Sequence, residues 1–536
     1  MKKVLIIFIV LAVLACGCNP GDTSGSIPNT QMPTGPVVSQ PTEKPTDAPT
    51  EAPTERPTTP PPSDPPVVDP GECTAHKDGN NDGYCDDCHI YLIIYVDFYS
   101  INDLHGKLAD GDNHPGVDEL TTYLKNARKT DDYAIFLSAG DMWQGAAESN
   151  MTNGNIITDW MNALDFTSMT IGNHEFDWGS EYIKKNAEIA EFPFLAINIY
   201  DSKTKQRVDY CDASVIVEAG DLQIGIIGAI GDCYNSIASD KRQDVEFKKG
   251  SELTSLVKAE STRLRNLGVD FIVYVIHDGY SNSSPIESYY DTSLSSGGYV
   301  NLVFEGHTHW GYCQVDSYGV YHLQNQGDNA NGISHVEIGI NSVTNKFTVQ
   351  KAEQISKSQY QNLADDPIVN ELMQKYDDIL SDAYEVLGYN CAYRNGDDLR
   401  NIVAKLYYEA GVKKWGSKYN IVLGGGSLNI RSPKKLLSGN VTYAQLQSNF
   451  PFDNPLYLCT MKGSDLKARF LNNNDYLEYS TLSVNQIKDN ETYYVVADSW
   501  DALWEPNKMT VVEMYDPNVF ARDLLADYVR EGGLAK

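Results

Sequence analysis

Five short clusters hold the side chains best equipped for chemistry: Asn102-Asp103-Leu104-His105-Gly106, Gly140-Asp141, Gly172-Asn173-His174-Glu175-Phe176-Asp177, His277-Asp278 and Gly306-His307-Thr308-His309. Carboxylates, imidazoles and carboxamides ligate metal ions, and imidazoles also carry protons near neutral pH. Five of the ten histidines lie in these clusters, so the chain concentrates this chemistry in series. A separate group, Cys73, His76, Cys85 and Cys88, has C-x2-H then C-x2-C spacing that can close around one tetrahedral, structural zinc. Two other readings of that module stand beside zinc. Asp78, Asn80, Asp82 and Gly83 match the first half of a calcium loop, although the twelfth position falls on His89 where a bidentate acid is required. In an oxidising compartment the cysteines could instead form disulfides, but three thiols cannot all pair within the module.

Each of the five clusters closes an apolar run: Tyr91 to Tyr99, Ala134 to Leu137, Ser168 to Ile171, Phe271 to Ile276, and Val300 to Phe304. Strands of an α/β sheet deliver ligands at their carboxyl ends in this way. Apolar residues at 41% and 34 tyrosines supply ordinary cores and exclude wholesale disorder. With 42 basic against 73 acidic residues and a net charge of −31, the chain repels phosphate backbones, which argues against a nucleic-acid duplex or RNA as partner. Helical spacing of Ile368, Leu372, Tyr376 and Ile379 within Leu363 to Leu387 predicts a connecting helix.

The amino terminus differs from the rest. Lys2 and Lys3 precede an apolar run from Val4 to Ala15, short for a bilayer span but suited to a secretory signal. Cys16 and Cys18 follow, as in the lipobox of bacterial lipoproteins, and either could carry lipid, with Cys16 preferred. Pro20 to Pro70 hold 15 of the 24 prolines, mixed with Thr, Glu, Asp and Ser. Such a segment forms no core and acts as an extended stalk. The chain is therefore expected to be exported to the bacterial cell surface or periplasm, with any membrane contact running through an amino-terminal lipid anchor.

The five clusters in this order resemble the calcineurin-like metallophosphoesterases, in particular the bacterial periplasmic 5'-nucleotidase and UDP-sugar hydrolase family. The resemblance runs from about Tyr91 to the carboxyl terminus. It implies an α/β fold: a layered α/β-sandwich dimetal phosphoesterase domain followed by a smaller α/β substrate-binding domain. It also implies that Asp103, His105 and His309 hold one divalent ion, that Asn173, His277 and His307 hold another, and that Asp141 bridges them. Imidazole and carboxylate together suit zinc, manganese or iron, and such a pair can generate a bridging hydroxide that attacks a phosphate ester. Where related nucleotidases often have Gln, this chain has His309. His174, oriented by Asp177, would meet the transferred phosphoryl group or leaving oxygen.

In the second half, Gly424-Gly425-Gly426-Ser427 and Pro451-Phe452-Asp453-Asn454 resemble the family's substrate domain, which makes Arg400 and Arg431 candidates for phosphate, with Arg394 behind them, and Phe452 and Asn454 candidates for a base. Leu428 stands where the family has its Arg, and Arg431 comes later. The family's second stacking aromatic is missing, and Trp500 or Trp504 could replace it. The resulting layout is a signal peptide at 1–18, a stalk at 19–71, the Cys/His module at 72–90, a metallophosphoesterase domain at 91–350, a connecting helix at 351–385 and a specificity domain at 386–536. The expected activity is hydrolysis of nucleotide phosphate esters, with 2',3'-cyclic phosphodiesterase or UDP-sugar hydrolase as alternatives. A rival of another class is a non-catalytic surface protein that only captures nucleotide. The sequence leaves the oligomeric state open.

Overall fold

In the computed structural model, the strand Ile93–Ile101 is buried from Val96 onward and pairs parallel with Ala134–Ser138 and antiparallel with Gly332–Asn341. The structure describes residues 71, 73–110, 116–279, 290–327, 332–431, 433–471 and 477–535. The expected signal peptide, Cys16, Cys18 and the stalk up to residue 70 lie outside them.

Two six-stranded sheets form the first domain. In one the order is Phe347–Ser356, Gly332–Asn341, Ile93–Ile101, Ala134–Ser138, Ser168–Thr170 and Phe194–Leu195. In the other it is Tyr312–Val315, Tyr321–Gln324, Leu302–Glu305, Phe271–His277, Leu222–Ile230 and Ser214–Ala219. Strands buried on both faces must be apolar throughout, which is why Phe271–His277 reads FIVYVIH and is buried at every position. Between the sheets Val96, Phe98 and Leu137 meet Ile224, Val273 and Phe304, and the rings of Phe98 and Phe271 stack at 6.0 Å. Helices Asp118–Thr130, Asn155–Ala163 and Ser180–Ile189 cover the outer face of the first sheet, and Ser251–Asn266 covers that of the second. The order helix, sheet, sheet, helix is the layered α/β sandwich that the family resemblance implied.

The connecting segment departs from the single helix expected at 351–385. The last strand runs on to Ser356, and the helix itself is Pro367–Lys375, started by Asp366, whose carboxylate accepts from Ile368 N. A short turn of helix, Asp377–Leu380, and a 3-10 turn, Ser381–Tyr384, follow. Proline at the first helical position and an acidic cap fix that start. Val369, Leu372 and Leu380 pack into the first domain's core, so this segment belongs to that domain's surface.

The second domain is a five-stranded sheet in the order Leu477–Ser480, Ile421–Gly426, Thr492–Asp498, Leu456–Lys462, Thr510–Met514. Leu399, Val403 and Tyr407 of helix Gly396–Trp415, and Leu525 and Val529 of helix Ala521–Arg530, pack with Leu456, Leu458 and Val496 of the sheet. Among the described residues no helix is long and apolar enough to cross a membrane.

Candidate active site

All five clusters end at the same edge of the two sheets, where the strands leave off. Asp103, His105, Asp141, His307 and His309 have φ of +52°, +52°, +55°, +74° and +60°. Left-handed backbone is uncommon for side-chain-bearing residues, though Asp and His tolerate it better than most, and its concentration marks a site where strain is held by the surroundings. Each turn has a brace. Asp103 N donates to Gly140 O and His105 N to Asp141 O, which ties the first two clusters together. Glu175, fully buried, accepts from Asp141 N at 3.0 Å, Met142 N at 2.8 Å and Gly172 N at 2.7 Å. Gly172 itself must be glycine, because a Cβ there would lie 2.3 Å from Asp141 Oδ1.

The ligating atoms converge. His105 Nδ1 donates to Gln144 O at 2.8 Å and His277 Nδ1 to Ala139 O at 2.7 Å, which leaves both Nε2 atoms facing the site. His105 Nε2 lies 3.1 Å from His309 Nε2, and His309 Nε2 lies 3.2 Å from Asp103 Oδ1. His277 Nε2 lies 3.1 Å from Asp141 Oδ2 and 3.2 Å from Asn173 Oδ1. Asp141 Oδ1 accepts from His174 N at 2.8 Å, and Asp103 Oδ2 accepts from His307 N at 2.9 Å.

These donors suit divalent cations. Asp103 Oδ1 is buried and lacks a well-aligned hydrogen bond, with His309 Nε2 at 3.2 Å facing it, a setting for a carboxylate oxygen that calls for positive charge from a protonated imidazole or a cation. Two imidazole nitrogens at 3.1 Å point lone pairs at each other unless a proton or a metal lies between. Burial opposes ionisation of Asp141, yet the imidazoles of His277, His174 and His105 outweigh it and hold the carboxyl well below the usual range. Burial likewise opposes a charge on His277, but Asp141 and Asp103 raise it to about 10, whereas burial and the neighbouring His277 lower His307 to about 4. Positive charge is thus drawn in to balance the carboxylates, which is the role a metal ion would take.

Arg431 and Phe452 reach this edge from the second domain. His174 Nδ1 donates to Asp177 Oδ2 at 2.8 Å; His174 is buried and Asp177 partly so. Arg431 Nη2 lies 3.4 Å from His174 Nε2, Phe452 stacks on the His174 ring at 6.1 Å, and the Arg431 guanidinium sits over the Phe452 ring at 5.2 Å. Burial disfavours a charged His174, but Asp177 and Asp141 override it and raise its pKa. At the same junction Asn150 Nδ2 donates to Pro451 O at 3.2 Å, and Tyr384 donates to Glu148.

The remaining substrate candidates sit elsewhere. Gly424–Gly426 lie within the strand Ile421–Gly426, and a Cβ at Gly426 would meet Asp501 Oδ2 at 2.2 Å, so this glycine serves close packing. Asp501 Oδ2 accepts from Ser427 N at 2.7 Å and from Ser427 Oγ at 2.9 Å. Arg400 Nη2 donates to Ser427 O at 2.8 Å. Arg394 is half-buried, with Nη1 on Tyr393 O at 3.0 Å, and Asn454 is half-buried beside Phe452 in sequence. Trp504 is exposed, with the Arg469 guanidinium at 5.5 Å over its ring, and Trp500 lies half-buried in the turn Ser499–Ala502. Among the described residues the aromatic partner of Phe452 is His174, not either tryptophan.

Sequence reasoning passed over three residues here. Glu175 braces the turns, and Arg522 donates to the carbonyls of Phe450 and Phe452 and pairs with Asp453, which sets the Phe452 loop. Cys233 brings its thiol to within 4.8 Å of ligand atoms of His277 and His307. A signal for it exists, because Gly231-Asp232 follows the strand Leu222–Ile230 as Gly140-Asp141 follows Ala134–Ser138.

Comparison with known proteins places both halves of the chain in known families. Residues 98–311 match the family described as calcineurin-like phosphoesterase, and residues 389–492 match the 5'-nucleotidase C-terminal domain. An apyrase from Tabanus yao is 25% identical over 409 residues, 69% of this chain and 72% of its own length. Protein UshA from Yersinia enterocolitica is 24% identical over 418 residues, 68% of this chain and 74% of its own. Among solved structures, the 5'-nucleotidase precursor from Thermus thermophilus superposes with a TM-score of 0.63 at 17% identity, covering 82% of this chain and 97% of that one.

Proposed function

Because the chain belongs to the calcineurin-like metallophosphoesterases with a 5'-nucleotidase C-terminal domain, and is thereby a phosphoric monoester hydrolase that uses divalent metals, we propose that it hydrolyses nucleotide phosphate esters outside the cytoplasm. The observation that carries the reading is the meeting of His174, Arg431 and Phe452 beside the ligand set. Asp103, His105 and His309 would hold one ion, Asn173, His277 and His307 a second, with Asp141 between them. Bound there, two divalent ions supply Lewis acidity toward phosphoryl oxygens and an acidified water.

The chain's own residues do the rest. Asp177 accepts from His174 Nδ1, which orients the ring and raises its proton affinity, so that a protonated Nε2–H would donate to charge developing on the leaving oxygen. Arg431 faces the same space as His174 Nε2, so an anionic oxygen entering between them meets both donors. Phe452 offers its ring to a base, while Asp141 through His174 N and Glu175 through three amides hold the catalytic turn still. Arg400, fixed on Ser427, supports the loop that leads to Arg431. Export rests on the apolar run Val4 to Ala15, and anchoring on Cys16 or Cys18.

A panel of AMP, ADP, UDP-glucose, 2',3'-cyclic AMP and p-nitrophenyl phosphate, assayed with manganese, zinc or cobalt, tests the reading. Release of phosphate from AMP well above that from the aryl ester is expected. Nucleotide binding with no turnover of any ester would leave the capture protein instead.

A further inference from the structure

We propose that Cys73, His76, Cys85 and Cys88 hold one structural zinc ion, and that this ion locks the segment ahead of the catalytic domain onto the end of the first sheet. The ligand atoms of the four residues lie within 4.8 Å of one another. Cys73 Sγ is 3.5 Å from His76 Nδ1, Cys88 Sγ is 3.4 Å from the same nitrogen, and Cys73 Sγ is 3.9 Å from Cys85 Sγ. Tetrahedral zinc with bonds of about 2.3 Å to sulfur and about 2.0 Å to nitrogen requires edges of roughly 3.8 Å between sulfurs and roughly 3.5 Å from sulfur to nitrogen. The observed separations match those edges, and 3.9 Å is nearly twice the ~2.05 Å of a disulfide bond.

The calcium reading fails on geometry as well as on His89. Asp78 Oδ1 accepts from Asp82 N, and Asp78 Oδ2 from Gly83 N and from Asn341 Nδ2. Asp82 Oδ1 accepts from Tyr84 N, and Asp82 Oδ2 from Asn80 Nδ2. These oxygens already face N–H donors, and the loop they form is an anchor. Its contacts to the catalytic domain are specific: Asn341 Nδ2 to Asp78 at 2.6 Å, Lys346 Nζ to Asn81 Oδ1 at 2.6 Å, and Ser342 N to Leu92 O at 3.0 Å. Leu92 N in turn donates to Gly83 O at 2.8 Å.

The module needs such a staple. Its buried apolar cluster consists of Cys85, Cys88 and Leu92, with Cys73 packed partly against it, which is far too little to hold a fold without a metal or cross-link. The inference is independent of the catalytic reading, because none of these residues touches the five clusters.

The test uses the purified full chain, the double variant Cys85→Ser with Cys88→Ser, and the conservative variant His76→Cys. Metal analysis should show that the double-serine variant loses one zinc equivalent per chain, while His76→Cys keeps it. Exchange of cobalt(II) for zinc should give a sulfur-to-cobalt charge-transfer band in the wild type and in His76→Cys, and that band should be greatly weakened in the double-serine variant. Loss of zinc should also speed amide exchange at Gly83, Leu92 and Ser342 by at least about tenfold. Unchanged zinc content in the double-serine variant, or a Cys73–Cys85 disulfide found by peptide mapping of the zinc-replete wild type, would overturn the site. Unaltered exchange at Ser342 after zinc loss would overturn the locking role.

Discussion

Asp103, His105, Asp141, His307 and His309 are placed by their own backbone, each just past a strand in left-handed conformation. Phe452 and Ser427 are placed by side chains from far along the chain: Arg522 holds the Phe450 and Phe452 carbonyls, and Asp501 holds Ser427. A group built into strand ends has little freedom to move and works as a unit. A group held by braces can be altered one contact at a time, so substitutions around Phe452 and Ser427 should act separately while those in the strand-end turns act together.

The largest effect should come from the backbone-placed side. Asp141→Asn removes the charge shared by the two ligand groups, and activity should fall by at least about 1,000-fold with both metals weakened together. Metal content and phosphatase rate on the same preparation check this. His174→Ala should lower turnover by roughly 10²–10⁴-fold and leave two metal equivalents in place. Loss of an equivalent would make His174 a ligand.

On the braced side the changes should be smaller and selective. Phe452→Ala should raise the Michaelis constant for AMP by about 5–150-fold, the equivalent of ~1–3 kcal/mol of stacking, and leave p-nitrophenyl phosphate nearly unchanged. Equal losses on both substrates would show that the ring supports the fold. Arg431→Ala should weaken nucleotides whatever their base.

The mildest expected effect concerns stability. Burial and the neighbouring Asp501 raise Asp498 from the usual carboxylate range to about 7. The folded state therefore binds its proton more tightly than the unfolded state does, and the stabilisation is complete below the unfolded pKa of about 4 and lost as pH rises through about 7. Asp498→Asn should flatten that decline between pH 5 and pH 8, which urea melts of the two proteins at both pH values measure. Parallel slopes for variant and wild type would mean that Asp498 does not carry the dependence.

The same contrast explains what could be read from the chain. The five clusters were legible because each follows an apolar run and four of the five carry their own Gly, so local order announces the site. Glu175 was not, since a carboxylate that accepts three amides looks like any other acid until the turns are folded around it. Arg522 lies 70 residues from the carbonyl it holds, and no spacing rule connects the two. The Gly-Gly-Gly stretch suggested a phosphate loop, whereas the glycines admit helix Gly396–Trp415 and Asp501 against a strand. The helix expected at 351–385 was too long because periodic apolar spacing continues through breaks that Pro367 and the turn at Tyr376 impose.

The left-handed residues also set conflicting demands on inheritance. Glycine at any of these positions would relax the backbone, a relief of roughly 1–2 kcal/mol for each, so a dead enzyme could melt at a higher temperature than the living one. Selection for stability alone would favour glycine at 103, 105, 141, 307 and 309, whereas the proposed metal binding needs the carboxylates and imidazoles that stand there.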